Sequence, residues 1–142
     1  MLKPTLLLVE DEEDDVFFFK RTLEKSGASF SIHRASNGAE AIEFIRKCAS
    51  TDLLPQIIFL DLKMPVLNGF DFLDWLQKQN LASAIPTVVL SGSEQQKDID
   101  RARQLGATDY LVKPIRVFDL NRVLRDVLGF TGVVPVTAGV KP

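Results

Sequence analysis

The sequence predicts an α/β protein: a five-stranded parallel sheet in the order 2-1-3-4-5, with five helices that cover both faces. Short apolar runs rich in Val, Ile, Leu and Phe alternate with helical patterns along the chain. This alternation is typical of parallel strands joined by crossover helices. Such crossovers are right-handed, which leaves few arrangements for the strands, and the predicted order is a common one among them.

Strands and helices alternate from the N-terminus onwards. Thr5–Val9 is a continuous apolar run, which is typical of a strand buried on both faces. A helix follows it and ends in the usual way at Ser26-Gly27. Ser29–Ala35 is a short strand, and Asn37 then caps a second helix with Glu40 as its capping-box partner.

The third predicted strand is the most informative, because Ile57–Leu60 is entirely apolar and stops abruptly at Asp61. Pro65 and the pair Asn68-Gly69 then break the chain and start a helix. A lone carboxylate is thereby delivered to the carboxyl end of a central strand, where open parallel sheets bind ligands. The later elements are strands at Thr87–Leu90 and Asp109–Val112, and helices at Asn68–Gln79, from a Ser93 cap to Gly106, and at Val117–Leu128.

Length and composition predict one domain with neither a membrane span nor a nucleic-acid surface. The chain has 142 residues, 46% of them hydrophobic and 25% charged, and its net charge is −2. A surface that binds the phosphate backbone of a nucleic acid needs a basic excess instead. No apolar run is long enough to cross a membrane. The single cysteine, Cys48, excludes an internal disulfide and fits a reducing cytoplasm. We expect the domain to span residues 1–129, and residues 130–142 to form a mobile tail.

Chemically active side chains stand at the ends of four predicted strands. Glu10 and Asp11 follow the first strand, Asp61 the third, Ser91 the fourth and Lys113 the fifth, and the predicted strand order brings these ends to one cleft. Three carboxylates repel one another unless a cation lies between them, and all-oxygen ligands suit Mg²⁺. The ammonium and the hydroxyl could hold phosphoryl oxygens, and a carboxylate could attack phosphorus to give an acyl phosphate.

The stretch from Thr5 to Leu128 resembles the receiver domain of the two-component response regulators, which has a flavodoxin-like fold. The resemblance rests on four segments, each at a strand end: LLLVEDEEDD, FLDLKMPVLNG, VVLSGS and DYLVKPI. It implies that Asp61 is the phosphoacceptor, with Ser91 and Lys113 as its catalytic partners. It also implies a Mg²⁺ (or Mn²⁺) ion held by Glu10, Asp11, Asp61 and the backbone carbonyl of Lys63.

The same resemblance implies a switch. Ser91 is similar to the family's hydroxyl switch residue and Tyr110 to its rotating aromatic, and the Lys113-Pro114 peptide is expected to be cis. Glu10 stands where many receivers have Asp, and Ser91 where Thr is frequent, so the charge and the hydroxyl are kept. A long loop at Cys48–Pro55 and the FFFK run are similar to single-domain regulators paired with bacterial phytochromes or hybrid histidine kinases.

The implied function is that of a stand-alone response regulator. A partner histidine kinase or phosphotransfer protein would pass a phosphoryl group from phosphohistidine to Asp61 in a Mg²⁺-dependent step. The altered surface would then bind a downstream protein target. The chain would not be an enzyme in the usual sense, although it would assist its own phosphorylation and dephosphorylation. Nucleic acid and membrane are not expected as partners, the expected location is the cytoplasm, and a homodimer is left open.

Two other functions are compatible with a fold of this kind. A pseudo-receiver binds partners without phosphorylation, and its sequence would lack an acidic or lysine position; none is missing here. A phosphohydrolase of the haloacid dehalogenase kind needs a second Asp two residues after its nucleophile, where this chain has Lys63. That class also needs a cap domain or extra length, which this sequence does not contain.

The first predicted helix carries an apolar side chain that the core does not require. Val16, Phe19 and Leu23 recur at helical spacing and predict the buried face, with Phe18 at its border. Phe17 points away from that face and is expected to be exposed, as a small candidate contact patch. An isolated exposed side chain without a partner is the simpler interpretation.

Overall fold

The computed structural model describes residues 3–51 and 53–129, and it contains the predicted elements in the predicted order. The tail expected at 130–142 lies outside the described residues. None of the helices in the described ranges is long and apolar enough to cross a membrane. The strands are β1 (Thr5–Val9), β2 (Ser31–Ala35), β3 (Ile57–Asp61), β4 (Thr87–Ser91) and β5 (Asp109–Val112). The helices are α1 (Glu13–Ser26), α2 (Gly38–Ala49), α3 (Gly69–Lys78), α4 (Gln96–Gln104) and α5 (Val117–Leu128).

The five strands form one parallel sheet in the order β2-β1-β3-β4-β5, which confirms the predicted topology. β3 is central, and all five of its residues are buried. β2 begins two residues later than predicted, because its pairing with β1 starts where Ser31 lies opposite Thr5. With this order the carboxyl ends of β1, β3, β4 and β5 are consecutive along one edge of the sheet.

Two apolar layers enclose the sheet, one on each face. Along β3, Ile58 and Leu60 point into one layer, which also contains side chains of α2, α3 and α4. Ile57 and Phe59 point into the other, with side chains of α1 and α5. Burying an aliphatic or aromatic side chain of this size stabilises a fold by about 1.5–3 kcal/mol. The strand edge that carries the polar residues is therefore supported by apolar packing from both sides.

The start of α2 confirms the predicted cap and corrects its partner. The Asn37 side chain accepts a hydrogen bond from the backbone amide of Glu40 at 2.9 Å, as expected of a cap. The Glu40 carboxylate, however, accepts from the amide of Ser36 at 2.8 Å rather than from that of Asn37. The backbone at Asn37 is fully extended (φ −161°, ψ 176°), and this brings the preceding amide within reach of the first turn.

The prediction that Ser93 caps α4 is wrong. The cap position is Gln95, and it makes no side-chain capping bond. The Ser93 hydroxyl instead accepts from the Gln95 amide at 3.2 Å and donates to Asp98 Oδ2 at 2.6 Å. Ser93 therefore organises the turn that leads into the helix, because its hydroxyl is already engaged two residues before the cap position.

Candidate functional site

The carboxyl edge of the sheet brings the predicted site residues together. Glu10 and Asp11 follow β1, Asp61 and Ser91 end β3 and β4, and Lys113 follows β5. One carboxylate oxygen each from Glu10, Asp11 and Asp61 lie within 4.8 Å of one another. Residues that are far apart in sequence thus form one acidic cluster at the point where the strand order reverses.

Lys113 extends its ammonium into this cluster. Its Nζ atom lies 2.8 Å from Glu10 Oε1, 2.9 Å from Asp15 Oδ2 and 3.5 Å from Asp61 Oδ1. Burial alone would lower the pKa of Lys113, but its hydrogen bonds to Asp15 and Glu10 and the charge of Asp61 hold that pKa above its usual value. Lys113 is therefore a fixed positive charge among negative ones at any physiological pH.

Asp15 is the site residue that the sequence analysis missed. It lies in the first turn of α1, within an acidic run that begins at Glu10. Helical spacing places Asp15 four residues before Phe19, on the helix side that faces the core, but this spacing does not indicate that the carboxylate meets Lys113. Phe19 is buried and packs on Phe59 with ring centroids 4.9 Å apart.

The two most buried carboxylates of the site are poorly solvated. Only 1% of Glu10 is exposed, and its burial raises its pKa from 4.5 to about 7, against the opposing effect of Lys113. Burial also raises the pKa of Asp61, which Lys113 and a hydrogen bond from the Lys63 backbone counteract. An added cation would stabilise the ionised form of these buried carboxylates.

The Asp11 side chain indicates which kind of ligand suits the cluster. Its Oδ1 atom is buried and has no hydrogen-bond partner among the described residues. A buried carboxylate oxygen without a partner is costly, and three converging carboxylates are the donor set that Mg²⁺ and Mn²⁺ prefer. The residues present therefore fit a divalent cation. The predicted contribution of the Lys63 carbonyl stays a prediction.

The segment after Asp61 allows α3 to begin close to the acidic cluster. A side-chain carbon at Gly69 would lie 2.5 Å from the backbone oxygen of Asp61, so only glycine allows this approach. The Asn68 side chain caps the helix by accepting from the Asp71 amide at 3.0 Å. Val66 adopts φ 69° in a tight turn, a conformation that costs a β-branched residue about 1–3 kcal/mol.

Ser91 and Tyr110 are linked through one residue, Ser93. The buried Ser91 hydroxyl accepts a hydrogen bond from the Ser93 amide at 3.1 Å. The Tyr110 hydroxyl donates to the Ser93 carbonyl at 3.0 Å, with the ring packed inward and 9% of the residue exposed. The structure also has the Lys113-Pro114 peptide in the cis form, as predicted.

An apolar surface on α1 adjoins the acidic cluster. Phe17 and Phe18 are 57% and 65% exposed. Exposure was predicted for Phe17, whereas Phe18 was expected at the border of the buried face and is the more exposed of the two. A cavity of about 320 Å³ separates this part of α1 from the segment after β5, and Asp15, Phe18 and Ile115 are among its lining residues.

The topology and the acidic cluster define a class: flavodoxin-like domains with a carboxylate-rich pocket at the switch point of the sheet. Residues 6–125 match the family described as the response regulator receiver domain. This chain therefore belongs to the response regulator receiver family.

Two relatives are similar over most of the chain. Protein PilH of Pseudomonas aeruginosa is 30% identical over 123 residues, which cover 87% of this chain and 96% of that protein. The polar-differentiation response regulator DivK of Brucella anthropi is 28% identical over 125 residues, which cover 88% of this chain and 96% of that protein.

Solved structures agree with the sequence comparison. The bacteriophytochrome response regulator RtBRR gives a TM-score of 0.77 at 30% identity, over 89% of this chain and 78% of that one. The Mn²⁺-bound form of the response regulator Rcp1 gives a TM-score of 0.70 at 27% identity, over 89% of this chain and 93% of that one. The predicted similarity to regulators of bacterial phytochromes is thus confirmed at the level of family and fold.

Proposed function

We propose that this chain is a single-domain response regulator whose phosphoacceptor is Asp61. The observation that carries the proposal is the position of the Asp61 carboxylate. It lies at the end of the central strand, within 4.8 Å of ligand oxygens of Glu10 and Asp11 and 3.5 Å from the Lys113 ammonium. Among the described residues, Asp61 is the only carboxylate of this cluster that lies in the central strand.

The residues that would hold a metal are the three clustered carboxylates. Glu10, Asp11 and Asp61, with the backbone carbonyl of Lys63, would provide oxygen ligands for Mg²⁺ or Mn²⁺. Such an ion, when bound, would neutralise charge on the carboxylates and on phosphoryl oxygens. The unpartnered Oδ1 atom of Asp11 supports this assignment.

Phosphorylation would be a transfer from nitrogen to oxygen. A carboxylate oxygen of Asp61 attacks the phosphorus of a phosphohistidine on a histidine kinase or phosphotransfer protein. The P–O bond to Asp61 forms as the P–N bond breaks, and the electron pair of that bond stays on the imidazole nitrogen. Lys113 and Ser91 would donate hydrogen bonds to phosphoryl oxygens and so stabilise the charge on the transferred group.

Dephosphorylation would use the same groups. A water oxygen attacks phosphorus, the bond to Asp61 breaks with its electron pair on the carboxylate, and the proton of the water passes to solvent. The chain would thus assist its own phosphorylation and dephosphorylation without turning over a separate substrate.

The output would be a protein-binding surface. Movement of the Ser91 hydroxyl toward a phosphoryl oxygen would release the backbone N–H of Ser93. The backbone carbonyl of the same residue accepts the hydrogen bond from the Tyr110 hydroxyl. The Tyr110 ring is already inward in this structure, so phosphorylation would stabilise that position rather than create it. The downstream partner would be a protein in the cytoplasm. Neither nucleic acid nor membrane is proposed as a partner, and homodimer formation stays open.

The proposal is tested by the intact mass of the protein after incubation with acetyl phosphate and Mg²⁺. We expect a gain of about 80 Da, one phosphoryl group, that requires the metal. Asp61→Asn should abolish the gain, whereas Asp71→Asn, at an exposed aspartate of α3, should leave it unchanged. Absence of any gain, repeated with a panel of histidine kinases as donors, would favour the pseudo-receiver alternative.

A further inference from the structure

The closest partners of Lys113 are not the proposed phosphoacceptor. The Nζ atom lies 2.8 Å from Glu10 and 2.9 Å from Asp15, whereas Asp61 is 3.5 Å away. An ammonium has three N–H donors, and two of them are used in the short, charge-assisted bonds. The third donor faces Asp61 at 3.5 Å. In the proposed function a phosphoryl oxygen on that side would bind the ammonium, and it would then compete with Glu10 and Asp15 for the position and the charge of Lys113.

The two short bonds are not equally easy to break. The Glu10 side chain is 2% exposed, and a buried carboxylate that loses its cation is left without solvent. The Asp15 side chain is 39% exposed, so that water can replace the ammonium there. Asp15 is also absent from the carboxylate cluster that fits a metal, which comprises Glu10, Asp11 and Asp61 among the described residues.

The position of Asp15 is set by packing rather than by the ion pair. Asp15 directly precedes the buried Val16, and one turn later Phe19 packs on Phe59 of the central strand. Because α1 is anchored in this way, the Asp15 carboxylate stays near Lys113 whether or not the two are paired. It can therefore compete for the ammonium in every state of the protein.

We propose that Asp15 is a positioning residue that holds Lys113 toward α1 in the unphosphorylated protein and competes with the phosphoryl group for its ammonium. The inference rests on the proposed function and adds to it a restraint within the site. Asp15 favours the unphosphorylated state, because its ion pair with Lys113 is strongest in that state and is weakened when a phosphoryl oxygen shares the ammonium. Removing the charge of Asp15 should therefore favour phosphorylation.

The test compares Asp15→Asn with two matched variants. Asp15→Asn keeps the shape and removes the charge, Asp15→Glu keeps the charge, and Asp14→Asn removes a neighbouring exposed charge that has no ion pair or hydrogen bond among the described residues. The probe is beryllofluoride with Mg²⁺, a mimic of the phosphoryl group that binds without chemistry, and its affinity is read by ¹⁹F NMR. The rate with acetyl phosphate is measured in parallel.

We expect Asp15→Asn to bind beryllofluoride about threefold to tenfold more tightly than the wild type, as for the loss of a partly exposed ion pair. Its phosphorylation rate should rise in the same direction, while Asp14→Asn and Asp15→Glu should stay near the wild type. The NMR signals of the Lys113 ammonium, assigned with Lys113→Arg, should exchange faster with water in Asp15→Asn without the probe. If the role of Asp15 is purely structural, Asp15→Asn should instead have a lower thermal stability and bind beryllofluoride more weakly.

The outcomes separate this inference from the proposed function. A wild-type protein that neither binds beryllofluoride nor gains a phosphoryl group would overturn both. A responsive wild type with an equal or weaker response in Asp15→Asn would overturn the inference alone. A weaker response that excess Mg²⁺ restores would make Asp15 a metal-site group, and this result would also overturn the inference.

Discussion

Lys113 and Arg34 are two cations of equal exposure that hold the same loop, the one between β1 and α1, in different ways. The side chain of each is 23% exposed. Arg34 donates to the backbone carbonyls of Glu10 and Asp11 at 3.0 and 3.1 Å, and to the exposed Glu13 carboxylate at 2.8 Å. Lys113 instead binds carboxylate side chains, two of which are nearly buried.

The difference separates a structural cation from a functional one. The partners of Arg34 are mostly backbone oxygens, whose charge does not change with metal, phosphate or pH. The partners of Lys113 are ionisable groups, and the pKa of Glu10 is raised to about 7. Removal of either cation should loosen the same loop, but only the loss of stability caused by removing Lys113 should be offset by a bound metal.

The largest effect is expected for Lys113→Ala. Phosphorylation by acetyl phosphate should fall about a hundredfold or more, since a preorganised donor to the phosphoryl group is lost. The free energy of unfolding without metal should fall by roughly 2–3 kcal/mol, because buried carboxylates lose their cation. Urea unfolding with and without Mg²⁺ measures this, and the metal should restore much of the loss. Equal losses in both conditions would contradict the account.

The second effect is a pH dependence that comes from Glu10. Its pKa is raised from 4.5 to about 7 in the folded protein, so the folded state keeps a proton that the unfolded chain has already released. The stability from this proton is fully present below pH 4.5 and is lost as the pH rises to about 7. Lys113 titrates far above this range in both states and does not contribute.

Urea unfolding without metal should therefore show a fall on the order of 2 kcal/mol between about pH 5 and pH 8 that is specific to Glu10. Glu10→Gln is the control, and the difference between the two proteins isolates this group from the other acids. Mg²⁺ should flatten the wild-type curve, because the ion favours the deprotonated carboxylate. The same slope in Glu10→Gln and wild type would rule out Glu10 as its source.

The smallest effects belong to Arg34. Arg34→Ala should lower the free energy of unfolding by about 1–2 kcal/mol, the value of its hydrogen bonds to two carbonyls, equally with and without Mg²⁺. Glu13→Gln removes only the exposed ion pair and should leave stability unchanged within error. Thermal and urea unfolding with and without the metal check both variants. A clear rescue of Arg34→Ala by Mg²⁺ would erase the distinction between the two cations.

Strand ends were predictable from the sequence, whereas contacts made by helix side chains were not. Asp61 and Lys113 follow apolar runs whose length fixes where each strand stops, and the strand order then brings them together. Asp15 lies inside an acidic run, where helical spacing alone could not distinguish an exposed carboxylate from one that meets Lys113. The prediction that Ser93 caps α4 was wrong for a similar reason, since the path of the loop brings the Ser93 hydroxyl to Asp98.

The central claim is that Asp61, among the carboxylates crowded around Lys113, accepts the phosphoryl group. The most direct measurement is borohydride reduction of the wild-type protein after treatment with acetyl phosphate and Mg²⁺, followed by peptide mass spectrometry, because borohydride converts an aspartyl phosphate to homoserine. We expect homoserine at position 61 and unmodified Asp11 and Asp15. Reduction at Asp11 or Asp15, with Asp61 intact, would contradict it.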